Sequence, residues 1–134
     1  MQYTEENCIS EVLKEVPGFQ LQWDEHQDFW DGEPAGLIVD MIEFASYTKG
    51  LLENNQENEL EKIFIMIEKM LSEGSEQVKD AVATGFLEST INPVVKDTVY
   101  LPLLARLLGK ESKKYCIEWL KFSGAELPGF SNVE

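Results

Sequence analysis

The sequence predicts an all-α fold: one domain over residues 1–134, built as a bundle or short stack of six to seven helices in helical hairpins. Three observations predict it. Apolar residues recur at three- and four-residue steps along most of the chain, as amphipathic helices require. Capping residues, Pro and Gly cut the chain into helix-length pieces. No segment sustains the two-residue alternation of a half-buried strand with a partner to pair with. At 134 residues the chain is the size of one domain and buries roughly two-thirds of its unfolded surface. With 43% hydrophobic residues it can form that core without metal or disulfide support.

The elements follow in order. Between Thr4 and Val16, apolar Cys8, Ile9, Val12 and Leu13 mark a helix, with Thr4 as N-cap and Glu5 and Glu6 in its first turn. Pro17-Gly18 ends it. Phe19-Gln20-Leu21-Gln22-Trp23 alternates in isolation and reads as an extended arm against the helices. A second helix opens at Pro34 and carries Leu37, Ile38, Met41, Ile42, Phe44 and Ala45, with Gly50 weakening its end. Residues 53–59 are polar and form a loop. From about Glu57 to Ser72, Leu60, Ile63, Phe64, Ile67, Met70 and Leu71 trace a 3.6-residue period, and Gly74 closes the helix. Ser75 starts the next, whose inward residues are Val78, Ala81, Val82, Gly85 and Phe86, and which Asn92-Pro93 interrupts. The segment from Asp97 to Leu108 is helical, with Pro102 marking a start. Gly109 stops it, and a last helix runs from about Glu111 to Phe122, ending at Gly124.

The charge is one-sided. The net charge is −14, and residues 1–67 hold fifteen acids against Lys14, Lys49 and Lys62, a net of −12. Such a field repels nucleic acid and anionic lipid and attracts basic partners. No apolar run approaches the ~20 residues of a membrane span. The N-terminus lacks the pattern of a secretory signal, and Cys8 and Cys116 read as reduced core thiols, so a cytoplasmic location is expected.

Catalytic and metal constellations are not evident. His26 is the only histidine, and it lies among acids, which suits a charged surface residue better than a base. Two distant cysteines and one histidine cannot supply a zinc site. The crowd of Asp24, Asp28, Asp31 and Gly32 misses the calcium-loop spacing. Neither an enzyme nor a cofactor is therefore expected.

Residues 23–33 carry the functional signal. Trp23, Phe29 and Trp30 are interleaved with Asp24, Glu25, Asp28, Asp31 and Glu33, and no base intervenes. Carboxylates rarely bury, so this segment must lie largely at the surface. Aromatics held there are rigid anchors for a partner, and the acids steer a basic one. Asp40 and Glu43, with Glu53, Glu57, Glu59 and Glu61, extend the same field. The alternative is that each aromatic packs inward to pin a loop.

The run Val78-Lys79-Asp80-Ala81-Val82-Ala83-Thr84-Gly85-Phe86-Leu87-Glu88, with Leu107-Leu108-Gly109 before a charged aromatic helix, is similar to small acidic all-helical bacterial proteins. These resemble the immunity proteins of polymorphic and contact-dependent growth-inhibition toxins. The resemblance implies an inhibitor that neutralises a cognate, basic toxin, often a nuclease, by presenting carboxylates where phosphates sit. The alternative from the residues alone is a helical adaptor that binds an endogenous protein in a groove between helices.

Overall fold

The computed structural model describes residues 2–130. Among these it is helical with no strand, as the periodicity requires. The helices are α1 (Cys8–Glu15), α2 (Gln20–Phe29), α3 (Leu37–Glu53), α4 (Glu57–Glu73), α5 (Glu76–Asp80), α6 (Glu88–Lys96), α7 (Leu101–Leu107) and α8 (Lys110–Ser123). A π-helical segment, Ala81–Leu87, joins α5 and α6 into one continuous rod, which makes seven rods among the described residues.

Local chemistry sets most of the ends. The Asn7 amide donates to Thr4 Oγ1 (3.2 Å) and the Thr4 amide to Asn7 Oδ1 (2.8 Å), a reciprocal cap on the turn that leads into α1. Ser75 Oγ accepts from the Val78 amide, and Asp97 Oδ1 from the Val99 amide, capping α5 and the 3₁₀ turn before α7. Gly124 closes α8 in the left-handed conformation at φ 78°.

Three expectations are corrected. Phe19 to Trp23 is not an extended arm. Phe19 closes a 3₁₀ turn, and the residues after it form α2, where Phe19, Trp23 and His26 line one side at i, i+4 and i+7. The second long helix begins at Leu37, not Pro34, because Gly36 precedes it at φ 98°, outside helical backbone space. Pro93 does not interrupt its helix, which runs on to Lys96. Buried Ile91 and Val94, and hydrogen bonds from α8, hold α6 together across the one backbone donor that Pro93 lacks.

The core is one continuous apolar cluster. Four buried phenylalanines from four elements thread it: Phe19 to Phe44 at 5.0 Å between ring centroids, Phe44 to Phe86 at 5.4 Å, and Phe86 to Phe64 at 5.7 Å. Cys8 and Cys116 are buried, free thiols, and burial pushes both up to about 12. They are neutral packing groups at physiological pH.

The helix containing Gly85 crosses α3 at close range. A Cβ there would stand 2.6 Å from the Ile38 carbonyl oxygen and 2.9 Å from Met41 Cβ. Because the obstacle includes backbone, Gly85→Ala is expected to destabilise the protein by about 1–3 kcal/mol, read as a lower urea midpoint with an unchanged slope.

Two cross-braces complete the frame. The Tyr115 hydroxyl donates to Glu88 Oε2, and four residues later Trp119 Nε1 donates to Asn92 Oδ1 at 2.8 Å. Both pairs advance in the same direction, so α6 and α8 run parallel. Burial and the Glu88 carboxylate push Tyr115 up to about 12. At the start of α8, the Glu68 carboxylate of α4 accepts from the Glu111 amide (2.6 Å), the Ser112 amide (3.1 Å) and Ser112 Oγ (2.8 Å).

Candidate functional site

The acidic-aromatic segment occupies α2 and the turn that follows. The Trp30 amide donates to the His26 carbonyl and the Gly32 amide to that of Gln27, while Asp31 stands at φ 57° and Gly32 at 76°. Two consecutive left-handed residues turn the chain out of the helix and leave Phe29 and Trp30 at its tip. Phe29 is 81% exposed and Trp30 38%. Their rings meet nearly edge-on, 5.7 Å apart with planes at 79°.

Trp23 behaves differently. It is half-buried against Phe19 (6.2 Å) and His26 (5.3 Å). The inward-packing alternative thus holds for Trp23, and the surface reading for Phe29 and Trp30. Asp24, Glu25, Asp28, Asp31 and Glu33 are all exposed. Asp24 accepts from Gln20 at 2.9 Å, whereas the carboxylates of Glu25, Asp28, Asp31 and Glu33 have no hydrogen bond or ion pair among the described residues. No lysine or arginine lies between Lys14 and Lys49.

His26 is corrected outright. It is buried, with 5% of its side chain exposed. Nε2 lies 2.9 Å from Asp40 Oδ1 and Nδ1 lies 3.4 Å from Glu43 Oε1, both carboxylates coming from α3. Gln22 Nε2 donates to Glu43 Oε2 at 2.6 Å. A carboxylate only accepts, so a neutral ring serves one of the two and an imidazolium both. With both nitrogens turned to α3, the ring is committed to holding α2 in place rather than facing a substrate.

That network removes Asp40 and Glu43 from the free acidic field. Asp40 is half-buried on His26, and Glu43 is shared between His26 and Gln22. The expectation that both extend the open surface is corrected for this reason. Glu43 still reaches the site's edge, because a groove of about 370 Å³ runs between α2 and α3. Its apolar lining is Phe29, Trp30, Val39 and Ile42, and its polar lining is Gln22, Glu25, His26 and Glu43. Ile38, one turn before Ile42, is also exposed.

Of the ten residues singled out in the sequence, Glu25, Phe29, Trp30 and Glu43 line the groove. Asp24, Asp28, Asp31 and Glu33 belong to the acidic segment that borders it, Trp23 packs beneath, and Asp40 acts through His26. Val39, Ile42, Gln22 and His26 were not anticipated. The exposed Ile38 and Ile42 pair, four residues apart on α3, is the signal that points to them. Among the described residues no group of three or more His, Cys, Asp or Glu side chains is placed to hold a metal ion. No helix among them is long and apolar enough to cross a membrane.

A family model described as a domain of unknown function (DUF7674) matches residues 9–124. The chain belongs to that family. The match runs from α1 through Gly124, so the α2–α3 groove and the braces between α6 and α8 lie within the DUF7674 domain. No curated protein and no solved structure matches the chain.

Proposed function

We propose that this is a non-catalytic binding protein whose α2–α3 surface captures and neutralises a basic protein, a cognate toxin domain in the reading to which charge and resemblance both lead. The observation that carries it is the exposed Phe29–Trp30 pair among carboxylates that have no ion pair among the described residues. Large aromatics fixed at the surface supply the desolvated centre that tight binding needs. The surrounding acids give rate and selectivity: steering raises association from about 10⁵–10⁶ toward 10⁸–10⁹ M⁻¹s⁻¹ at low salt.

Growth rescue tests the reading. The C-terminal fragment encoded by the gene next to this one is expressed alone and with this protein, and the purified pair is titrated at low and high salt. Rescue with nanomolar, salt-sensitive binding is the expected result. The variant with Asp24→Asn, Glu25→Gln, Asp28→Asn and Asp31→Asn is expected to associate about tenfold more slowly at low salt, with a flatter salt dependence. These side chains are exposed, so the fold tolerates the exchange. An unchanged association rate removes the segment from the interface.

The apolar lining of the groove favours a second reading, an adaptor for an endogenous helical partner. It predicts capture that survives high salt and no toxicity to rescue.

A further inference from the structure

We propose that the α2–α3 groove is a receptor for one long cationic side chain, an arginine projected by the basic partner. The inference rests on the binding surface described above and names what that surface grips.

Size and lining point the same way. At about 370 Å³ the groove is at the lower end of small-ligand sites, roughly 300–1,000 Å³, room for a single long side chain rather than a folded segment. Its aliphatic lining, Val39 and Ile42, matches an aliphatic stem, which long cationic side chains lay along apolar surface. The two aromatic rings near its end stand almost perpendicular, so a planar cation can lie on the face of one against the edge of the other. Glu25 lines the same groove with an uncommitted carboxylate, whereas Glu43 is already held by Gln22 and His26. A guanidinium answers this arrangement better than an ammonium. It stacks on aromatic faces and bonds a carboxylate through two parallel N–H groups, which a point charge cannot do.

The test is a titration of ¹⁵N-labelled protein with N-acetyl-arginine methylamide, its lysine counterpart and the neutral citrulline counterpart. The arginine compound is expected to move the Trp30 indole signal and leave that of Trp119 in place. Citrulline should bind about tenfold more weakly, and Glu25→Gln should cost about fivefold for arginine alone. Trp30→Ala should abolish binding, read on the Glu25 and Ile42 backbone amide signals; Trp30 is exposed, so this variant keeps its fold, and the Glu25→Gln result stands independently of it. Citrulline binding as well as arginine, or a response centred on Trp119, overturns the proposal. Nanomolar capture of a basic protein that is lost with Trp30→Ala but indifferent to Glu25→Gln overturns it too, while leaving the binding surface intact. Arginine binding in a protein that captures no basic partner supports the subsite and sinks the toxin reading instead.

Discussion

Replacing Glu68 with alanine is expected to lower the stability of the protein by about 3–4 kcal/mol. Its carboxylate serves three donors at the start of α8, two backbone amides and the hydroxyl of fully buried Ser112. Hydrogen bonds to a charged acceptor contribute about 1.5–3 kcal/mol each, and sharing one carboxylate makes the three less than additive. Glu68 also places a negative charge at the positive end of the helix dipole. In a chain of this length the loss corresponds to a fall in melting temperature on the order of 10–15 °C. Glu68→Gln keeps an acceptor and should recover part of the loss. Gly109 belongs to the same device: a Cβ on it would stand 2.6 Å from Glu68 Cδ, so Gly109→Ala should displace the carboxylate from its donors. A Glu68→Ala variant within about 1 kcal/mol of the parent in urea titration would show that α8 is capped by water instead.

The second large effect is expected at Phe86. Its ring touches both Phe44 and Phe64, joining α3 to α4 through the π-helical segment. Truncation to alanine removes a fully buried ring where close-packed helices leave little freedom to collapse, and such changes cost about 3–5 kcal/mol. Phe86→Leu retains most of the volume and should cost only about 1–1.5 kcal/mol. Thermal and urea unfolding of the two variants, read side by side, separate lost volume from lost ring contacts.

The fold was legible where burial follows the helical period. The helices around Leu60–Leu71 and Tyr115–Leu120 lie within a residue or two of where their apolar spacing puts them. α2 was not, because its inward side consists of Phe19, Trp23 and His26 among acids, and an exposed Leu21 between them imitates alternation. Pro93 misled for a different reason: its local penalty is real, but packing from α8, far along the chain, outweighs it.

At the candidate site, the exposure of the carboxylates followed from their cost of burial, and the structure bears it out for Asp24, Glu25, Asp28, Asp31 and Glu33. The parts played by Asp40 and Glu43 depend on a histidine 14 and 17 positions earlier, and no local pattern announces such a pairing. Glu68 is hidden in the same way, since its donors lie 43 and 44 positions downstream.

The histidine latch has a consequence for how the surface is used. Of the ten residues of α2, His26 alone is buried, and Trp23 and Gln22 add partial contacts. The helix that presents Phe29 and Trp30 is therefore tied to the rest of the molecule by a polar clasp and a few ring contacts. Segments held so lightly open at a small fraction of the global unfolding free energy. A partner spanning α2 and α3 would clamp this helix shut, so association and local ordering become one event. A side chain outside the groove, Asp40, then governs affinity through His26 by setting how often the surface is assembled.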